Sequence, residues 1–377
     1  MSNLLLGLRI LTATAGGINR GIASRGGAAT NCAMTASHPS TPEDLGDWIA
    51  AEMPQIGQVR RIVKFPDGQS NPTYRIEAEG GRFVLRAKPP GDLLKSAHMV
   101  DREYRVMAAL AQTDVPVPPM LRLMPDGAPP LGRAFFIMGH LDGRIFWDPA
   151  LPDLKSEERG AIFDAMNDVL ARLHSVDPVD IGLGDYGRPG NYFARQTDLW
   201  ARQYAASAIE PLPDMAHLAQ WLQDELPPDD GQVALVHGDY RMDNMIFAPD
   251  APRVIGLLDW ELSTLGHPLA DLAYQCMQWR LPHDGGMRGL GGLNRHDLGL
   301  PDEADYVAAY CKRRGLGPID NWTFYLAFSF FRLAAILEGV VARARSGNAS
   351  NPATAKLYAG SIPVLAQMAA RLTREGA

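Results

Sequence analysis

At 377 residues the chain is long enough for one two-lobed enzyme, or for two domains, with a sizeable core. Its 36 basic and 43 acidic residues leave a net charge of -7, which argues against general nucleic-acid affinity; 21% charged and 46% hydrophobic residues are ordinary for a globular protein. Cys32, Cys276 and Cys311 are too few and too scattered for a disulfide framework or a zinc site, and no apolar run approaches the length of a membrane-spanning helix.

The beginning of the chain stands apart. Met1 to Pro42 holds no acidic residue, carries Arg9, Arg20 and Arg25, and is rich in Ala, Gly, Ser and Thr. Residues 1–40 therefore read as a targeting or disordered extension, or as translation assigned upstream of a start at Met34. Reduced cysteines fit a cytoplasmic protein, or one of the mitochondrial matrix if that extension is a transit peptide. Ordered structure is expected from Thr41-Pro42-Glu43-Asp44, where a capping residue, a Pro at the first helical position and acids in the first turn announce a helix reaching Met53.

Strand-like segments follow at Gly57–Phe65, Thr73–Glu79 and Arg82–Lys88, punctuated by Pro66-Asp67-Gly68 and Gly80-Gly81. The small residues from Gly68 to Thr73 would let backbone N–H groups reach phosphate oxygens, although the segment has neither G-x-G-x-x-G nor a Walker A pattern. Arg86 and Lys88 stand two apart on one strand and so share a face, from which one of them would contact phosphates unless both are exposed strand charges. Ser96 to Ala111 reads as a helix with Val100, Tyr104, Met107 and Ala111 on one side. Phe135–Met138 is a further strand, Gly139 to Gly143 a hinge, and most of the remainder is helical.

The chemistry concentrates in His237-Gly238-Asp239-Tyr240-Arg241-Met242-Asp243-Asn244 and Leu258-Asp259-Trp260-Glu261. Apolar runs at Val233–Val236 and Val254–Leu258 read as strands that deliver Asp239 and Asp259. An Asp, an Asn five positions on and a second Asp after a strand match kinase-type catalytic loops. There the first Asp accepts the substrate proton, and the Asn and later Asp hold magnesium. His237 reads as a brace for the loop and Asp243 as solvated or capping. Asp271 either bonds the catalytic loop or simply favours a helix dipole from the first turn.

Gly238 replaces the Arg of a protein kinase, and the stretch between Asp259 and Pro268 leaves no room for a polypeptide-docking activation segment. The residues instead resemble the aminoglycoside phosphotransferase and choline kinase-like superfamily, whose loop reads H-G-D-x-x-x-x-N. LDWELSTLG (Leu258–Gly266) and PLADLAY (Pro268–Tyr274) are similar to one branch. It contains bacterial phosphotransferases and the kinase-like domain fused to acyl-CoA dehydrogenases in animals. This resemblance implies an α+β bilobal kinase-like fold, with a nucleotide-binding lobe at 41–140 and a catalytic, substrate-binding lobe at 141–377. It implies Asp239 as the catalytic group and Asn244 and Asp259 as Mg2+ ligands. Ser70 and Asn71 would belong to the phosphate-covering loop, and Arg86, paired with Glu103, would contact phosphates because the family's Val-Leu-Arg falls on Val84-Leu85-Arg86. Backbone groups near Met138 and His140 would receive the nucleotide base, which the sequence does not narrow to ATP over GTP.

On the acceptor side, Trp279 to Leu300 carries Arg280, Arg288, Arg295 and His296, and an apolar helix at Phe324–Val341 contains Arg332. Arg332 is either paired internally, since a lone buried charge is costly, or binds an anionic group with its fork. The expectation is an ATP- and Mg2+-dependent O-phosphotransferase for a small hydroxylated metabolite, with Arg280 and Arg332 facing an anionic hydroxy acid or hydroxyacyl-CoA. An aminoglycoside or choline-like amine acceptor, and a non-catalytic nucleotide-binding module, are the alternatives. No membrane or nucleic-acid partner is expected.

Overall fold

The computed structural model describes residues 42–65, 71–90, 99–208, 210–284, 286–345 and 352–375. The expected extension at 1–40, the cap at Thr41 and Ser70 lie outside them.

After a first helix comes a five-stranded antiparallel sheet: β1 (Val59–Lys64), β2 (Thr73–Ala78), β3 (Gly81–Ala87), β4 (Met120–Met124) and β5 (Phe135–Gly139), in the order β1-β2-β3-β5-β4. Helix α1 (Pro42–Glu52) covers one face, and α2 (Val100–Leu110) packs on the other side, against β4 and β5. Strand alternation sorts β3 accordingly. Leu85 and Ala87 join the cluster beneath α1 with Ile49, Met53, Phe135 and Ile137. Val84 joins Phe136, Met138 and α2 residues in the main core. Arg86 shares the parity of Val84 and is thereby aimed at α2.

Two expectations are corrected in this sheet. The buried residues of α2 are Val100, Glu103, Val106, Met107, Ala109 and Leu110; Ala111 caps the helix end and is exposed. Strand β4 was not anticipated, because every one of its residues is half-buried and no alternation marks it.

The larger part of the chain is helical: α3 (Ser156–Ser175), α4 (Tyr192–Ser207), α5 (Pro213–Asp224), α6 (Leu269–Cys276), α7 (Arg295–Leu298), α8 (Glu303–Arg314), α9 (Trp322–Arg345) and α10 (Pro352–Glu375). Between α5 and α6 lie four short strands, β6 (Ala234–Val236), β7 (Met245–Phe247), β8 (Val254–Leu257) and β9 (Thr264–Gly266). They form two ribbons, β6 with β9 and β7 with β8. The fold is thus α+β, a small antiparallel sheet followed by a larger helical part.

Helix α9 corrects a further expectation. Its 24 residues are long and apolar enough to cross a bilayer on length and composition. Here most of them are buried against α4, α5, α6 and α10, so the run serves as a core helix.

Candidate active site

Strand β6 ends one residue before His237, and β8 ends two residues before Asp259. The ribbon β7–β8 ties their products together, for Leu258 N–H donates to Asn244 O at 2.9 Å. Gly238 occupies φ +85°, where a Cβ would stand 2.7 Å from Leu262 O, so the position cannot hold the Arg of a protein kinase. Asp259 is itself left-handed at φ 65°, a conformation that Asp and Asn tolerate better than most residues.

Asp239 is buried and held from two sides. The Tyr274 hydroxyl donates to Oδ1 at 2.7 Å, and the Asn244 amide donates to Oδ2 at 3.1 Å and to the Asp239 carbonyl at 2.8 Å. With the amide so assigned, Asn244 Oδ1 is buried without a hydrogen-bond partner among the described residues. Arg86 is buried too, its Nε 2.9 Å from Glu103 and its Nη2 3.0 Å from Asp259, with Glu261 at 3.8 Å. Burial opposes the guanidinium charge, but Glu103, Asp259 and Glu261 outweigh it and hold Arg86 firmly protonated.

Arg86 does not fully offset the burial of these three carboxylates. Burial, chiefly, lifts Glu103 to about 7 against the pull of Arg86, and also raises Asp259 and Glu261. An orphaned amide oxygen beside under-compensated carboxylates is a hard-oxygen donor set suited to a divalent ion such as Mg2+. Asn244 and Asp259 each present an oxygen of the kind such an ion takes.

The loop itself is fastened from behind. Asp271 accepts from His237 N–H at 2.6 Å and Gly238 N–H at 2.8 Å, and faces His174 Nε2 at 3.3 Å. Burial alone would raise Asp271, yet the bonds from His174 and the loop take it below the ordinary carboxylate value. Burial keeps His174 neutral, with Nδ1 placed to accept from the Tyr310 hydroxyl at 2.8 Å. His237 acts as a brace, its Nε2 donating to Leu258 O at 2.9 Å and its Nδ1 accepting from Asp239 N–H.

Asp271→Asn is expected to cost about 1–3 kcal/mol, because one loop N–H loses its acceptor in the interior. The sign with pH follows from the depressed folded value. The stability Asp271 supplies is present above its ordinary 3.8 and is lost as pH falls through the lower folded value. Urea midpoints of native and variant protein should therefore differ fully at neutral pH and converge in acid; a gap independent of pH would contradict the assignment.

Several expected site residues sit elsewhere than anticipated. Asn71 is buried and its amide donates to Glu103 Oε1 at 2.9 Å, so it orients Glu103 rather than offering that group to a phosphate. Gly139 N–H donates to Pro119 O and His140 N–H to Arg82 O, at 2.8 and 3.1 Å, so the backbone donor expected at His140 is already committed. Met138 lies inside the sheet, paired with Val84 and Met120. Lys88 leaves the site for a partly exposed pair with Asp126. Asp243 pairs with Arg241 instead of capping a helix.

The basic stretch is also neutralised. Arg280 grips Glu303 at 2.8 and 3.0 Å, Arg288 pairs with Asp148 at 3.3 Å, Arg295 with Asp302 at 3.1 Å, and His296 meets Asp297 at 3.5 Å. Arg332 is buried between the rings of Trp200 and Tyr274, and its Nη2 donates to Gly238 O at 2.9 Å. That bond ties it to the loop that carries Asp239.

Three residues escaped the sequence reading. Tyr274 lies three positions after Asp271 on α6 and so shares its face, a spacing that could have revealed it. Glu261 is the second acid of D-W-E. Arg241 Nε stands 3.6 Å from Asp239 Oδ1, and Asp243 and Asp239 hold its charge against burial.

The fold is that of kinase-like phosphotransferases. Residues 61–310 match the model of the phosphotransferase enzyme family, and the chain belongs to that family. It is 46% identical over 309 residues, 82% of its length, to acyl-CoA dehydrogenase family member 10 of Mus musculus, and spans only 29% of that relative. A crystal structure of a candidate aminoglycoside phosphotransferase from Ralstonia eutropha JMP134 is similar at 44% identity and TM-score 0.80, over 89% of this chain and 98% of that one. A ternary complex of the aminoglycoside phosphotransferase APH(4)-Ia with AMP-PNP and hygromycin B shares the fold at TM-score 0.56 and 14% identity, over 89% of this chain and 99% of that one.

Proposed function

We propose that the chain is an ATP- and Mg2+-dependent O-phosphotransferase acting on a hydroxyl of a small molecule. The carrying observation is the buried group formed by Asp239, Asn244, Asp259 and Arg86, in which one amide oxygen lacks a partner. Asp239 orients and deprotonates the acceptor hydroxyl, with Tyr274 and Asn244 fixing the carboxylate so that little reorganisation accompanies transfer. Asn244 and Asp259 hold Mg2+, which when bound neutralises phosphate charge. Arg86 positions phosphates and Glu103 positions Arg86. Phosphoryl transfer needs mainly such placement and charge stabilisation.

For the acceptor we favour an anionic hydroxy acid or hydroxyacyl-CoA. Local charge no longer supports this, since the basic groups of 279–300 are paired. It rests on the sequence resemblance alone: the chain matches 29% of the length of acyl-CoA dehydrogenase family member 10, whose name does not say what that part acts on. The second reading, an aminoglycoside or related amine, draws on the Ralstonia relative. A screen of ATP consumption across hydroxy acids, their CoA esters, amino alcohols and aminoglycosides, with products identified by mass spectrometry, separates them. Preferred phosphorylation of a hydroxy acid or thioester supports the first; preferred turnover of a polyamine antibiotic overturns it.

A further inference from the structure

The helix that carries Glu103 is tied to the large lobe by a contact that the catalytic residues do not use. Arg102, the neighbour of Glu103 on α2, lies over the ring of Tyr186, its guanidinium carbon 4.0 Å from the ring centre. Its Nη2 donates to Tyr186 O at 2.7 Å and reaches Ser263 O at 3.4 Å. Tyr186 is almost wholly buried, and its hydroxyl meets Ser263 Oγ at 2.8 Å and Arg102 O at 3.2 Å. Ser263 Oγ donates to Trp260 O at 2.5 Å, so the one proton of the Tyr186 hydroxyl is shared between Ser263 Oγ and Arg102 O. Burial raises the Tyr186 hydroxyl above its ordinary value, so the donor stays protonated. At the rim Arg105 adds a bond to Gly182 O at 2.8 Å and an exposed pair with Asp185.

Two of the three partners, Arg102 and Ser263, lie close to site residues in sequence. Arg102 precedes Glu103, and Ser263 closes the turn Trp260–Leu262 that begins at Asp259. Arg86 bridges Glu103 and Asp259, so moving α2 away from that turn would pull the ion pairs apart. We propose that Arg102 and Tyr186 are positioning residues, a clamp that fixes α2 on the segment after Asp259 and so holds Arg86 and Glu103 ready for the nucleotide phosphates. The nucleotide part of this inference rests on the phosphotransferase reading; the clamp does not.

The test compares native protein with Tyr186→Phe, which keeps the ring and loses the hydroxyl, and Arg102→Met, which keeps the stem and loses the fork. Two readouts are taken: amide hydrogen exchange, and Mg-ATP binding by calorimetry. Losing a single buried bond is expected to speed exchange of the Val100–Leu110 amides about fivefold, with larger acceleration in Arg102→Met and none in α8 to α10. Mg-ATP affinity should fall by a similar factor. Unchanged exchange in α2, or acceleration spread evenly over the chain, overturns the clamp. Local acceleration with native Mg-ATP affinity overturns its coupling to the nucleotide site. Failure of the native protein to bind Mg-ATP would count against the proposed function, while exchange would still decide the clamp.

Discussion

Asp239→Asn is expected to bind Mg-ATP about as well as the native protein and to lose turnover by roughly a hundredfold to ten-thousandfold, the usual contribution of general-base catalysis. Asn nearly matches the carboxylate in shape, and its one carbonyl oxygen still accepts from either Tyr274 or Asn244. One of those two donors goes unsatisfied, a local cost of about 1 kcal/mol that a folded core absorbs. Arg86 touches both Glu103 and Asp259, and neither pairing needs Asp239. Calorimetry and single-turnover phosphorylation of the same variant separate binding from chemistry. A variant that phosphorylates the acceptor at the native rate would remove Asp239 from the mechanism. Native protein that binds Mg-ATP yet phosphorylates nothing in a broad screen would favour the non-catalytic binding module.

The second large effect belongs to Asp259. Asp259→Asn should leave the fold intact and weaken Mg-dependent ATP binding about a hundredfold or more, roughly 2.7 kcal/mol. The fold survives for a specific reason: Asn accepts the left-handed backbone at φ 65°, where most side chains would be strained. Arg86 keeps Glu103, so no buried guanidinium is stranded. What disappears is a negative ligand for the divalent ion, and with it the Mg2+ dependence of affinity. Titrations with and without Mg2+, alongside a thermal melt, make the comparison. Undiminished Mg-ATP affinity in a stably folded variant would count decisively against the ligand role.

The catalytic loop was readable because its chemistry constrains spacing: five residues from Asp239 to Asn244, and a strand end before Asp259. Arg86 was readable because parity on β3 decides which side of the sheet it meets. The pairings of Arg280, Arg288 and Arg295 were not, for their partners Glu303, Asp148 and Asp302 carry no mark that separates a pairing acid from a solvated one. Arg332 was harder still. Its partner is the carbonyl of Gly238, and a backbone oxygen leaves no trace in composition. The hinge donors failed for a related reason: whether Gly139 and His140 N–H groups are free depends on how Pro119 and Arg82 are placed, which local sequence does not state. Edge strand β4 lacks alternation because both of its faces are half-covered.

Most of the candidate site thus follows from carboxylates, amides and guanidinium at fixed intervals, whereas the basic groups of 279–300 are paired with acids. The direct measurement is to follow the γ-phosphoryl group of isotopically labelled ATP in the presence of Mg2+ and the acceptor panel, by mass spectrometry, with native protein and Asp239→Asn side by side. The expected result is label bound covalently to a hydroxyl of one small molecule, dependent on Mg2+ and lost in the variant. Label found only in inorganic phosphate, or transferred equally by Asp239→Asn, would contradict phosphoryl transfer through Asp239.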